Sequence, residues 1–88
     1  MLSVTLKVIE PEGLHARPAS MLVGVAFKYK SNIDIQCNDK IVNMKSIMGV
    51  MTLGACYNSE ITIHINGEDE ETAMMTIVNT IKENKFAE

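Results

Sequence analysis

The chain has 88 residues, a hydrophobic content of 47% and a formal net charge of −3 at pH 7. This length predicts a single domain, residues 1–88, with a thin core in which every apolar face is needed. The net negative charge and the lack of a basic cluster argue against direct nucleic-acid binding. No apolar run approaches the ~18 residues of a membrane span, and the first residues lack the basic-then-apolar layout of a signal peptide. We therefore expect a cytoplasmic protein with no membrane insertion.

The cysteines and histidines form no metal-binding pattern. Cys37 and Cys56 lie far apart in a chain without secretory features, which predicts two reduced, partly buried thiols. His15 and His64 show no short ligand spacing to each other or to the cysteines. The sequence therefore predicts neither a metal site nor a cofactor.

The first half of the chain predicts a strand, a helix and a hairpin. Apolar residues alternate with polar ones at positions 2, 4, 6 and 8, which indicates a half-buried strand that Pro11 and Gly13 end. The next segment is predicted to be a helix, with one buried stripe made of Ala19, Leu22, Val23 and Ala26. Alternation returns from Ile33 to Cys37, and Asn38-Asp39 is predicted to form a tight turn into a short strand around Ile41–Asn43.

The second half predicts a brief helix, a strand and a longer helix. The brief helix follows Ser46, and isoleucines at 61, 63 and 65 give a clear strand that Asn66-Gly67 closes. The last helix has acidic residues at 69–71 in its first turn, Lys82 and Lys85 near its end, and a predicted buried stripe of Met74, Ile77, Val78 and Ile81. The order β-α-β-β-α-β-α predicts an α+β layer pair, an antiparallel sheet with helices on one face. Which strands are neighbours does not follow from the pattern.

The segment Gly13-Leu14-His15-Ala16-Arg17-Pro18-Ala19 carries the strongest chemical signal. Pro18 fits the first turn of a helix, and Gly13 lets the chain turn sharply into it. His15 should therefore lie at the helix N-terminus, beside free backbone N–H groups, with Arg17 alongside. A neutral imidazole there offers a nucleophilic lone pair, and the N–H groups and guanidinium can hold phosphoryl oxygens. The alternative is that His15 only caps the helix, although histidine is a poor cap.

Two polar residues are expected to be ordinary surface groups. Alternation places His64 on the polar side of the last strand, where we expect it to be solvated. Glu12 is close to His15 in sequence, and its carboxylate would repel a bound phosphate. We therefore expect the side chain of Glu12 to point into solvent.

A second candidate site follows Lys45. Ser46 occupies the N-cap position of the brief helix, and a cap is the simplest role for it. That helix is apolar on two sides, of which only one can face a core this small, and Val50 and Leu53 share one of these flanks. The other flank should be an exposed Met-rich patch made of Ile47, Met48 and Met51. A phosphate on Ser46 would add charge beside this patch, so Ser46 is also a candidate regulatory residue.

The first helix offers a matching surface opposite its buried stripe. Ser20 and Gly24 lie on this surface, with Phe27 on its flank. Phe27 either packs against the sheet edge or stays exposed, and the sequence does not decide between these positions. If it is exposed, an apolar ring without a pocket surrounds His15, which favours transfer between proteins.

The segments 13–19 and 45–51 together resemble HPr, the histidine-containing phosphocarrier of the bacterial sugar phosphotransferase system. The resemblance spans essentially the whole chain, including the element order and the Asn66-Gly67 break. It implies an open-faced β-sandwich, a four-stranded antiparallel sheet with three helices on one side. It also implies that His15 accepts a phosphoryl group on Nδ1 and that Arg17 steadies the phosphoryl oxygens.

The resemblance further implies the partners. The donor is phosphorylated enzyme I, charged by phosphoenolpyruvate, and the acceptors are IIA domains of sugar transporters. Ser46 is the implied target of an HPr kinase/phosphorylase, and the phosphoserine form binds a catabolite-repression regulator. The implied partner-binding residues are Ser20, Gly24, Phe27, Ile47, Met48 and Met51.

The leading prediction is a stoichiometric carrier of one phosphoryl group that is not itself an enzyme. Two other function classes are alternatives to it. The first is a regulatory module that acts through Ser46 alone, but a related branch of this kind lacks the histidine that is present here as His15. The second is a small hydrolase with His15 as base, for which the sequence offers neither a nucleophile nor a pocket. A monomer is the simplest expectation for a carrier that must expose its active face.

Overall fold

The computed structural model describes residues 1–88. Seven elements follow in the predicted order β-α-β-β-α-β-α. The four strands are β1 (Leu2–Lys7), β2 (Asn32–Cys37), β3 (Lys40–Asn43) and β4 (Glu60–Asn66). The three helices are α1 (Ala16–Ala26), α2 (Ile47–Thr52) and α3 (Glu70–Glu83).

The strands form one antiparallel sheet in the order β1-β4-β2-β3. Strand β4 is central, with Ile63 opposite Val4 of β1 on one side and opposite Ile35 of β2 on the other. Asn38 and Asp39 form the two-residue turn between β2 and β3, because Cys37 pairs with Lys40. Asn38 adopts a φ of 56°, which asparagine tolerates better than most residues. The predicted hairpin is confirmed, and the strand order supplies what alternation alone left open.

A single apolar cluster lies between the sheet and the three helices. The isoleucines of β2 and β4 point into it and are almost fully buried, as the alternation predicts. The predicted stripe of α1 is buried at every position. These observations confirm the α+β fold class and the open-faced arrangement of sheet and helices.

The C-terminal helix departs from its predicted stripe. Ala73, Ile77 and Ile81 are the buried residues of α3, whereas Met74 and Val78 are only half-buried. The buried face of the helix therefore includes the position before Met74 and is rotated relative to the predicted stripe. Lys82 lies in the last turn of α3, and Lys85 lies just beyond its end with a φ of 58°, so both lysines are near the end of the helix as predicted.

The polar face of the sheet carries cross-strand hydrogen bonds. His64 lies on this face as predicted, but the expectation of a freely solvated side chain is wrong. Its Nδ1 is 3.2 Å from Ser3 Oγ and its Nε2 is 2.9 Å from Gln36 Oε1, so the half-buried ring joins three strands. Polar residues on neighbouring strands are close enough to satisfy both ring nitrogens.

Both cysteines are free thiols, but neither is partly buried as predicted. Cys37 is fully buried on the inner face of β2, and Cys56 is exposed in the loop before β4. The alternation of β2 accounts for Cys37, whereas a loop position carries no comparable signal. Across the chain, no helix has the length and apolar character that crossing a membrane requires.

The start of α3 is tied to the loop before β2. The Asp69 carboxylate accepts hydrogen bonds from the Ser31 hydroxyl, the Lys30 amide and the Ser31 amide. These bonds, that of the Ser31 side chain first, lower the pKa of Asp69 below its usual value. Next to it, a hydrogen bond from the N-terminal amine of Met1 lowers the pKa of Glu70.

Candidate functional site

The loop between β1 and α1 brings His15 to the start of the helix. Gly13 has a φ of +72°, and a Cβ at this position would lie 2.9 Å from the Cα of Cys56 and closer still to the Ala55 carbonyl oxygen. The Leu14 amide donates to that carbonyl at 3.0 Å, and the Leu14 side chain is buried. Glycine is therefore required by both the backbone conformation and the close approach. The result is a fixed turn that presents the next residue, His15.

His15 is the N-cap residue of α1, in an extended conformation, and its side chain makes no capping hydrogen bond. The backbone amides of Ala16 and Arg17 have no hydrogen-bond partner in the protein. Pro18 has no N–H, so the first turn holds just these two free donors before the Ala19 amide bonds to the His15 carbonyl at 3.0 Å. The predicted position of His15 at the helix N-terminus is confirmed, and two unpaired N–H groups adjoin it as the prediction requires.

The two nitrogens of the His15 ring have different surroundings. Nε2 lies 3.4 Å from a carboxylate oxygen of Glu10 and 3.7 Å from one of Glu12. Nδ1 has no hydrogen-bond partner in the protein, and the side chain is about one-third exposed. Nδ1 is therefore free of hydrogen-bond partners in the protein, whereas the two carboxylates lie beside Nε2.

The expectation for Glu12 is only half right, and Glu10 was missed. Glu12 is exposed as expected, but its carboxylate turns back to the His15 ring instead of pointing away from it. Glu10 is the nearer of the two and the more buried, with 17% of its side chain exposed against 77% for Glu12. A glutamate five residues before the histidine has no helical or strand spacing to it, so only the folded turn reveals the contact.

Arg17 lies in the first turn of α1 with its guanidinium carbon 5.4 Å from the centroid of the Phe86 ring. Such cation–π contacts orient a guanidinium without binding its N–H groups, which stay available to an anion. Phe86 is completely buried and its carbonyl accepts hydrogen bonds from the amides of Ile9 and Glu10. The C-terminal segment thus supports both Arg17 and the loop before His15, a role that no sequence signal indicated.

Ser46 caps α2 as predicted, since its Oγ accepts a hydrogen bond from the Gly49 amide at 3.0 Å. The two predicted flanks of this helix are confirmed. Val50 and Leu53 are buried, whereas Ile47, Met48 and Met51 are all exposed. The serine is exposed as well, at the N-terminal end of an apolar surface.

Helix α1 packs against α2 and contributes its own exposed residues. Ser20 and Gly24 are exposed, and Phe27 is 67% exposed, which answers the question that the sequence left open. We call Ser20, Gly24, Phe27, Ile47, Met48 and Met51 the docking face. An apolar surface of this kind on a small protein is typical of a protein–protein contact.

Neither a cavity nor a strong metal pattern accompanies His15. The cavity in the structure, about 370 Å³, is lined by residues 67–72 at the start of α3 and not by the loop that carries His15. Glu10, Glu12 and His15 bring their ligand atoms within 4.8 Å of one another, a grouping that the spacing of histidines and cysteines did not predict. Carboxylates at a protein surface often lie close together without binding an ion. We therefore interpret the two glutamates by their contacts with the His15 ring and not as metal ligands.

The chain is similar to a known family and to solved structures over almost its whole length. The family described as "PTS HPr component phosphorylation site" matches residues 2–83. The histidine-containing phosphocarrier protein of Mycoplasma is 38% identical, with 99% of both chains covered and a TM-score of 0.96. HPr-C-His of Thermoanaerobacter tengcongensis is 41% identical over 98% of this chain and 96% of its own, with a TM-score of 0.89.

A regulatory relative is also similar. Crh of Bacillus subtilis, a catabolite repression protein whose crystal structure is an intertwined, swapped dimer, is 35% identical. The match covers 94% of this chain and 95% of Crh, with a TM-score of 0.74. The extent of the family match and these identities show that the chain belongs to the HPr family of the phosphotransferase system, which includes histidine-containing phosphocarrier proteins.

Proposed function

We propose that His15 is the residue that carries the phosphoryl group and that Nδ1 is the accepting atom. The observation that carries the proposal is the open start of α1, where Nδ1 and the amides of Ala16 and Arg17 have no partner in the protein. A lone pair on Nδ1 that makes no hydrogen bond is available for attack on phosphorus. N–H groups without partners at a helix N-terminus can donate hydrogen bonds to the phosphoryl oxygens. Family membership supports this assignment, because the resemblance implies that the histidine of segment 13–19 accepts the phosphoryl group.

Arg17 stabilises the transferred group in this proposal. Its guanidinium already lies in the first turn of α1, held against Phe86 but with no carboxylate partner. Arginine bonds phosphoryl oxygens through two parallel N–H groups, which lowers the energy of both the transition state and the phosphorylated product. No metal or separate base is needed, since the lone pair of a neutral imidazole is the nucleophile.

We propose that the partners implied by the family resemblance bind at the docking face. Phosphorylated enzyme I, charged by phosphoenolpyruvate, delivers the group in the cytoplasm, and IIA domains of sugar transporters receive it. Phe27 and Met48 are 67% and 77% exposed, so each supplies apolar area to a partner without unfolding this chain. Flexible methionines suit a surface that binds several partners in turn. The chain acts stoichiometrically, as a monomer that holds one group per molecule.

The test is incubation with phosphoenolpyruvate and enzyme I, followed by intact-mass measurement and brief treatment with mild acid. We expect one added phosphate that acid removes, and none on the variant His15→Ala. His64→Ala is the matched control, because it removes the other histidine and should accept phosphate as the wild type does. Phosphate on the His15→Ala variant, or none on the wild type with a competent enzyme I, would contradict the proposal.

A second role at Ser46 is supported by its exposed position beside Ile47 and Met48 and by the similarity to Crh. We propose that an HPr kinase/phosphorylase phosphorylates Ser46 and that the product binds a catabolite-repression regulator. The added phosphate places about two negative charges at the edge of the docking face, which disfavours contacts made by the unmodified form.

ATP and an HPr kinase should add one acid-stable phosphate, which is lost in Ser46→Ala and retained in His15→Ala. The reverse pattern, or a phosphate that mild acid removes, would assign the modification to another residue. This measurement separates the regulatory role from the carrier role because the two modifications differ in acid stability.

A further inference from the structure

We propose that Glu10 is a positioning residue for phosphoryl transfer, whose carboxylate keeps the proton of the neutral His15 ring on Nε2 so that the lone pair remains on Nδ1. The inference deepens the proposed function and rests on it, because it concerns how His15 is prepared to accept the group. A neutral imidazole has one N–H and one lone pair, and the hydrogen bond made by one nitrogen decides which nitrogen keeps the proton.

The contacts of the ring favour this assignment. Glu10 Oε1 is 3.4 Å from Nε2, a long hydrogen bond of the kind that often tightens when a partner binds. Nδ1 has no competing acceptor or donor in the protein. Among the charged groups near the ring, both carboxylates lie on the Nε2 side. The proton is therefore drawn to one edge of the ring and the nucleophilic lone pair is left on the other.

Glu10 is better placed for this task than Glu12. Its amide donates to the Phe86 carbonyl at 3.2 Å, and its carbonyl accepts from the Gly13 amide at 2.8 Å. The backbone is thus held on both sides, and only 17% of the side chain is exposed. Glu12 lies in the exposed turn, with 77% of its side chain in solvent and 3.7 Å between its carboxylate and Nε2. A solvent-exposed carboxylate at that distance contributes little.

The chemical step balances without further groups. The Nδ1 lone pair forms a bond to phosphorus while the bond between phosphorus and the donor atom of phosphorylated enzyme I breaks, and that electron pair stays on the donor atom. The ring of His15 keeps its proton on Nε2 and gains positive charge as the new bond forms. The Glu10 carboxylate faces that edge of the ring and stabilises the charge, as a buried aspartate does for the imidazolium of a serine protease.

The experiment compares Glu10→Ala, Glu10→Gln and Glu12→Ala with the wild type in two measurements. The first is the ring 15N chemical shifts of His15, recorded at a pH at which the ring is neutral, which report the Nε2–H and Nδ1–H populations. The second is the rate of phosphoryl uptake from phosphorylated enzyme I. Thermal unfolding of each variant verifies that the fold is retained.

We expect the Nε2–H form to dominate in the wild type and in Glu12→Ala, and to lose population in Glu10→Ala. Uptake should slow about 5-fold in Glu10→Ala, the size expected for losing one partly exposed hydrogen bond. Glu10→Gln should recover much of both signals, since its amide oxygen also accepts from Nε2–H.

Unchanged ring shifts and uptake in Glu10→Ala would overturn the role of Glu10, as would equal losses in Glu10→Ala and Glu12→Ala. The failure of the proposed function gives a different result. A wild type that takes up no phosphate, whatever its ring shifts, refutes the acceptor role of His15 itself.

Discussion

The N-termini of α1 and α2 carry the two candidate phosphorylation residues, and they differ in how their backbone amides are bonded. His15 caps α1 without a side-chain hydrogen bond and leaves the amides of Ala16 and Arg17 unpaired. Ser46 caps α2 by accepting a hydrogen bond from the Gly49 amide. A phosphoryl group on His15 would fill an open site, whereas one on Ser46 would alter a finished cap. The two helix N-termini are therefore suited to different proposed roles, transfer of a phosphoryl group at His15 and regulatory phosphorylation at Ser46.

The open end of α1 is stabilised from outside the helix. Gly13 and Leu14 pack against the loop at Ala55, and the Phe86 carbonyl bonds the loop at Ile9 and Glu10. These contacts hold His15 at the N-cap without using its side chain. The closed end of α2 instead depends on its own serine, so the two sites should respond differently to mutation.

The largest expected effect is on transfer, from the change Arg17→Met. The methionine retains an apolar stem against Phe86 but has no N–H groups for the phosphoryl oxygens. We expect phosphoryl uptake by His15 to fall about 100-fold, as when a single transition-state donor is removed. The rate is measured by quenching the reaction with phosphorylated enzyme I at successive times and determining the phosphorylated fraction.

The change Arg17→Lys is the control for charge. It keeps one positive charge but lacks the planar fork, so its uptake rate should lie between those of the wild type and Arg17→Met. Phosphorylation of Ser46 by a kinase should be unchanged in both variants. Equal rates in Arg17→Met and the wild type would mean that the two free amides suffice at the open end.

The next effect concerns the turn that presents His15. Gly13 and Gly54 have nearly the same positive φ, 72° and 75°, but of the two only Gly13 is close to other backbone atoms. We expect Gly13→Ala to lower the free energy of unfolding by roughly 2 kcal/mol or more, because conformational strain adds to a clash with Ala55 and Cys56.

Gly54→Ala is the matched control, since a Cβ there meets no atom within 4 Å. Its cost should be only the conformational one, about 1 kcal/mol. Urea denaturation of the two variants gives the difference. Similar losses at both glycines would show that the close approach beside the His15 turn does not contribute.

Much of this arrangement follows from the sequence, and the parts that do not have a common physical reason. Alternation and helical spacing are local patterns, and they predict the elements, the position of His15 and the two flanks of α2. The contacts of Glu10 with His15 and of Phe86 with Arg17 join residues without such spacing. They arise when the loop before α1 and the C-terminal segment meet, which only the tertiary structure determines.

The errors have the same origin. His64 was expected to be solvated, but strands on both sides of β4 bring Ser3 and Gln36 to its ring. Alternation gives the face of a residue correctly and cannot give its cross-strand neighbours until the strand order is known. In α3, Ala73 is buried where the predicted stripe has Met74, because helical spacing alone does not determine which elements the helix packs against.

A smaller effect distinguishes the two helix ends by stability. Ser46→Ala removes the cap of α2 and should lower the free energy of unfolding by about 1 kcal/mol. His15→Ala removes no cap and should change it by less than about 0.5 kcal/mol. Ser46→Asp is the control, because aspartate caps as well as serine. Thermal unfolding measures all three, and a larger loss in His15→Ala than in Ser46→Ala would reverse the comparison.

The smallest effect involves the start of α3, where Asp69 bonds to Ser31 and Lys30 instead of capping its own helix. Because those bonds lower the pKa of Asp69 in the folded state, its contribution is complete above its unfolded value near 3.8. The contribution is lost as the pH falls through the lower folded value. Urea denaturation between about pH 6 and pH 2 should therefore show that the free energy of unfolding falls less steeply with decreasing pH (a flatter acid limb) in Asp69→Asn than in the wild type.

Glu71→Gln is the control for Asp69→Asn, because Glu71 is a carboxylate of the same turn with no hydrogen bond to the loop at Ser31. Its acid limb should follow that of the wild type. The effect at Asp69 is small because water and salt screen a partly exposed carboxylate. Identical acid limbs for the wild type and Asp69→Asn would mean that the bonds to Ser31 persist when the carboxyl is protonated. The hydrogen bonds at the start of α3 would then not depend on the charge of the carboxylate. The start of α1 differs, because its unpaired amides are available to a negatively charged group from outside the chain.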